Sequence, residues 1–155
     1  MSVKGDIERI AGEEQRIRFD RFDYELAHSI GAALHEEAKR REAAVAIDVT
    51  AFGQQLFHLA MAGTAPDNDR WIERKHATVL RFGKSSLRVG RELALEKLSI
   101  EERYHVSALQ FAPNGGSFPI MLKGGGVIGA VAVSGLTQEE DHELVVSVLE
   151  QFAGA

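Results

Sequence analysis

The chain has 155 residues, 45% apolar and 26% charged, with a formal net charge of −5 and no cysteine. That balance suits one folded domain over residues 1–155 rather than a disordered chain, and the acidic surplus argues against general affinity for nucleic acid or anionic membrane. Without cysteine there are no disulfides, thiolate nucleophiles or sulfur-held metals.

No apolar run approaches the roughly 20 residues that span a bilayer, and Met1 to Phe19 lacks the apolar centre of a signal peptide. A cytoplasmic protein is the expectation. The first twelve residues, with Ile7 and Ile10, suit a short amphipathic helix. A firmer helix runs from an Asp23 N-cap towards Arg41, because Leu26, Ile30, Leu34 and Ala38 recur every four residues. The period then changes to two. Val45, Ile47 and Val49 alternate with smaller or polar residues, as do Phe57, Leu59 and Met61, and Phe52-Gly53-Gln54 joins the two runs as an antiparallel hairpin.

Pro66 and the acids beside it open a helix expected from Asp67 to about Ala94, with breaks near Gly83 or Gly90. Phe118–Leu122 and Val127–Val133 read as two further strands around Lys123-Gly124-Gly125-Gly126. Thr137 with Glu140 forms a capping box, and Leu144, Val145, Val148, Leu149 and Phe152 supply the apolar face of the last helix. Hairpins without helical crossovers imply an α+β domain. Its antiparallel sheet is flanked by helices, with a profilin-like or PAS-like shape.

Signals for chemistry are sparse. Gly124-x-Gly126-x-x-Gly129 copies a dinucleotide fingerprint, but it sits between strands with no helix N-terminus to receive a pyrophosphate. Four Glu-x-x-His pairs exceed chance, yet helical charge pairing explains them better than a carboxylate-bridged metal centre, and no metal ligands are assigned. No serine lies in a nucleophile elbow, so no catalytic residue is assigned. On the expected middle helix, His76 falls within the apolar sector, as a buried, hydrogen-bonded histidine would. Arg70, Arg74, Arg81, Lys84, Arg88 and Arg91 fall on the opposite side, a positive field suited to carboxylate or phosphate.

Asp69-Arg70-Trp71-Ile72, Arg74-Lys75, Val79-Leu80-Arg81-Phe82 and Ser85-Ser86 resemble a family of uncharacterised small proteins in the haem-degrading-domain superfamily, which holds the HbpS-like and GlcG-like proteins. Phe111-Ala112-Pro113, Gly115-Gly116, Phe118-Pro119-Ile120, Val133-Ser134-Gly135-Leu136 and Asp141-His142 resemble it too. The resemblance implies a profilin-like domain, symmetric homo-oligomers, and haem or another small molecule as the ligand of some relatives.

The combined expectation is an oligomeric module that binds a small anionic molecule. Arg74, Lys75 and Arg81 would supply charge, Ser85 and Ser86 would donate hydrogen bonds, and the Gly115–Gly116 backbone would close the site. The alternatives are a haem-binding or haem-degrading protein using His76, His105 or His142, and a scaffold that docks an acidic protein.

Overall fold

The computed structural model describes residues 2–153. Six helices surround a four-stranded sheet of order β2-β1-β4-β3, in which every neighbouring pair is antiparallel. The elements are α1 (Val3–Arg16), α2 (Tyr24–Arg40), β1 (Ala46–Ala51), β2 (Gln54–Ala60), α3 (Pro66–Phe82), α4 (Ser86–Glu96), α5 (Ile100–Tyr104), β3 (Ser117–Met121), β4 (Val127–Ser134) and α6 (Gln138–Phe152). The α+β expectation is what the chain adopts.

Alternation along the strands divides the sheet into an oily face and a polar one. Ile47, Val49, Val131, Val133, Phe118 and Ile120 join the main core beneath α2 and α6, which contribute Ile30, Leu34, Leu144, Val145, Val148 and Leu149. The opposite face carries Ala46, Asp48, Ala130, Ala132, Ser134 and Ser117, and α3 lies over it. Small residues there let α3 approach closely, so its longer polar side chains fill the gap.

Local signals place the boundaries. Asp23 caps α2 through Leu26 N–H, and Thr137 caps α6 through Glu140 N–H. Phe52 and Gly53 both take positive φ, 58° and 74°, as a two-residue hairpin turn requires. The long middle helix does not form. Gly83 takes φ 70° as the left-handed stop of α3, and Ser85 caps a separate α4. Gly90 stays inside α4, at a close approach to the Pro113 carbonyl. Two further elements depart from the sequence reading. The N-terminal helix runs on to Arg16, and α5 is an additional short helix whose Ser99–Glu102 capping box went unread in a polar segment.

Gly129 pairs with Ala51 and Ile120 in mid-sheet, and a Cβ there would lie 2.1 Å from the Thr50 carbonyl oxygen. Backbone atoms of a central strand cannot withdraw. Gly129→Ala is therefore expected to lower stability by about 1–3 kcal/mol, read as a lower urea midpoint at unchanged slope.

Candidate functional site

Consecutive residues of α3, Lys75 and His76, are both buried, and each ends on a carboxylate carried by another element. Two recesses lie along these contacts. The first follows from strand register. Asp48 of β1 pairs with Ala132 of β4, which pairs with Ser117 of β3, so the three form one row with a methyl group at its centre. That small centre leaves room for the His76 ring. Its Nε2 is 2.9 Å from Asp48 Oδ1 and its Nδ1 is 2.8 Å from Ser117 Oγ.

Asp48 also accepts hydrogen bonds from Thr50 Oγ1 at 2.6 Å and Gln55 Nε2 at 2.5 Å. Burial alone would raise its pKa. The hydrogen bond and charge of His76, with help from Thr50 and Gln55, outweigh burial and hold the carboxyl below the usual range. The result is a serine–histidine–aspartate series, but Ser117 is fully buried, so its hydroxyl cannot meet a substrate arriving from solvent. Above it lies a recess of about 400 Å³ lined by Gln55, His58, Asp69, Arg70 and Glu73. His58 Nε2 sits 2.8 Å from Asp69, and Arg70 pairs with Glu73 at 2.9 Å.

The second recess, about 280 Å³, is lined by Trp71, Lys75, Asn114, Leu136, Gln138 and Asp141. Lys75 Nζ donates to Asp141 Oδ2 at 3.2 Å and to the Val133 carbonyl at 3.4 Å. Asp141 Oδ1 accepts from Leu136 N–H at 3.0 Å. Burial dominates both partners: it lowers Lys75 and raises Asp141 against their mutual attraction. Gly116 makes the approach possible, because its φ is 140° and a Cβ there would stand 2.6 Å from Nζ. Gln138 opens α6, whose first turn carries Glu139, Glu140 and Asp141 against the positive end of its dipole. Arg74 stacks on Trp71 with its guanidinium carbon 4.1 Å from the ring centroid.

The expected site residues divide accordingly. Lys75 lines this recess, Gly115 and Gly116 are buried behind it against Gln138 and Lys75, and Arg74 stacks on Trp71. The Gly115 N–H is already used, donating to Gln138 Oε1 at 3.0 Å, and the Gly116 carbonyl accepts from Val133 N–H. Ser85 and Ser86 are fully buried away from the recess. Ser85 Oγ caps α4, and Ser86 Oγ is tied to the backbone of Ser117. Arg81 is exposed near the rings of Phe82 and Phe111.

A continuous cationic face does not form, because the helix breaks at Gly83 and carboxylates reach most of its members. Arg70 pairs with Glu73, Lys84 with Glu92, Arg88 with Glu14, and Arg91 with Asp6 and Glu139. Among the described residues only Arg74 and Arg81 of that set lack a carboxylate partner.

Sequence reasoning missed Asp48, Gln138 and Asp141 as partners. Asp48 carried a readable signal, a lone charge inside the apolar run from Val45 to Val49. His76 is the buried, bonded histidine anticipated. Haem fits the smaller recess poorly, since its lining offers no imidazole, thioether or phenol for iron. His76 and His142 are buried with Nε2 committed, the latter to Glu13 at 2.7 Å. The larger recess presents His58, whose Nε2 is engaged by Asp69.

Fold and recesses together define a small α+β domain with a polar layer between helix and sheet. The chain belongs to the HbpS-like family, described as haem degrading protein HbpS-like, whose profile matches residues 22–150. A UPF0303 protein of Rhizobium meliloti is 43% identical over 155 residues, covering 100% of this chain and 94% of the relative. The crystal structure of the Ybr137w protein superposes with a TM-score of 0.88 at 35% identity, over 95% of this chain and 87% of that one. A PduOC:Heme complex shares the fold with a TM-score of 0.70 at 14% identity, over 83% of this chain and 92% of that one.

Glu13 behaves like Asp48. Burial raises it, but the hydrogen bond and charge of His142, with Arg9 and Arg16, bring it below the ordinary value. A depressed carboxylate stabilises the fold above its unfolded pKa, and that contribution disappears as pH falls through the folded value. The unfolding free energy read from urea titrations should therefore fall below about pH 4, by up to about 1.4 kcal/mol per pH unit for each proton taken up. Asp48→Asn should show a shallower acid slope than the parent chain.

Proposed function

We propose that this protein is a binding module for a small carboxylate-bearing molecule seated in the Lys75 recess. One observation carries the reading. An ammonium has three donors, and Lys75 spends two of them inside the protein while lining an open recess. The Lys75–Asp141 pair is close to neutral, so the attraction for an anion comes from Arg74, which has no carboxylate partner and stacks on Trp71. Trp71 offers a flat apolar wall, and Asn114 and Gln138 offer carboxamides at the rim. This assignment keeps Arg74, Lys75, Gly115 and Gly116 and gives no ligand contact to Arg81, Ser85 or Ser86. The same reading includes a homo-oligomer in which a second copy closes the open side, measured by light scattering.

Haem-related binding is a second reading, supported by the family description and by the haem complex of PduOC. His58 at the larger recess is the imidazole it would use, with Asp69 orienting the ring. Haemin titration of the parent chain and His58→Ala would separate the two readings by the Soret band.

Trp71 is the one tryptophan of the chain and borders the recess, so its fluorescence reports occupancy directly. Titration with acetate, glyoxylate and inorganic phosphate should give a saturable change for carboxylates. Arg74→Ala should weaken it about 10- to 100-fold, the worth of a charge-assisted hydrogen bond. No saturable change with any of the three, or equal affinity in the variant, would remove the proposal.

A further inference from the structure

We propose that Lys75 is a reactive amine that condenses with the carbonyl carbon of a short 2-oxo acid held in its recess, forming a protonated imine. The inference rests on the binding reading above and adds the ligand class and the bond that forms. Lys75 alone among the described lysines is buried; the others stand exposed or half-exposed. Lys75 and Asp141 nevertheless both line a recess, so a small molecule that enters comes up against the buried pair. A lysine becomes nucleophilic when low polarity and a neighbouring cation disfavour its ammonium form. Burial lowers the Lys75 pKa and outweighs the opposing pull of Asp141, and Arg74, stacked on Trp71, acts in the same direction as burial.

Asp141 supplies the proton traffic. It lies 3.2 Å from Nζ, and burial raises its pKa towards the range in which it accepts and returns a proton. The ammonium of Lys75 first passes one proton to Asp141, exposing the nitrogen lone pair. Nζ then attacks the carbonyl carbon, and the C=O electron pair moves to oxygen, which takes the proton from Asp141. Asp141 next removes a proton from the new C–N nitrogen and delivers it to the hydroxyl. The C–O bond breaks, water leaves, and the nitrogen lone pair completes a C=N bond. The net change is ammonium plus carbonyl to protonated imine plus water, with Asp141 again a carboxylate beside the cation. No oxidant or further reactant is needed. The acid's carboxylate lies one bond from the reacting carbon, where Arg74, stacked on Trp71, supplies positive charge.

A purely structural ion pair would tie α3 to α6 and leave the amine unreactive. The two roles separate in one experiment on the full chain. Glyoxylate with cyanoborohydride should place a single carboxymethyl group on Lys75, mapped by peptide mass spectrometry, at least about tenfold faster than on any surface lysine. Acetate should slow the labelling by competition. Lys75→Arg keeps a cation for Asp141 and should abolish the preferential labelling while circular dichroism stays native. Labelling spread evenly over surface lysines, or none at Lys75, while Trp71 fluorescence still saturates with glyoxylate would overturn the imine and leave the binding reading standing. Loss of both signals would overturn both.

Discussion

Two consecutive basic side chains on the buried side of α3 impose the constraint on which the rest of the structure depends. Lys75 and His76 project about 100° apart around the helix axis, so no single partner can serve both. Lys75 reaches sideways to Asp141 in the first turn of α6, and His76 reaches down to Asp48 in β1. Each contact brings a polar group out of water, which costs free energy unless its remaining donors and acceptors are met. Thr50, Gln55 and Ser117 complete the His76 set, while Leu136 N–H and the Val133 carbonyl serve the Lys75–Asp141 pair and leave one ammonium donor over. Elements distant in sequence are thereby fixed to one helix.

This arrangement explains why the domain has recesses along α3 and a close-packed core on the other side of its sheet. Beneath α2 and α6 the strands present apolar residues that join one buried core. Beneath α3 they present alanines and serines, and the space is filled by polar side chains whose geometry hydrogen bonds dictate. Directional packing leaves gaps where no protein group satisfies a donor. One is the recess at Lys75, and the binding and imine proposals both follow from its unspent donor.

Membership of the HbpS-like family accords with the architecture, while the donor set marks out this chain's own chemistry. Its smaller recess is built from an amine, a carboxylate, an indole and carboxamides. Such groups recognise a small polar anion more readily than they ligate iron. The N-terminal helix adds further pairings, since Glu13 of α1 is hydrogen-bonded to His142 and Glu14 pairs with Arg88. Charges that a linear reading assigned to an open cationic face are consumed in this way.

Much of the fold was legible because local rules act within a few residues. The Asp23 and Thr137 caps, the hairpin at Phe52-Gly53, and the switch from a period near four to a period of two marked elements that formed. Gly83 was one of two named breaks, and its left-handed conformation decided the matter. Lys75, Gly115 and Gly116 were legible as site candidates from their residue types. Their partners Asp141 and Gln138 were not, since an ion pair across sixty-odd residues leaves no periodic trace. Ser85 and Ser86 seemed available because a hydroxyl looks alike in sequence whether it caps a helix or faces solvent. By itself, then, the sequence determined the α+β class and the place of most helices and strands. Only the tertiary structure decided which charges cancel and which donor is left over, because electrostatic pairing depends on distance through space rather than distance along the chain.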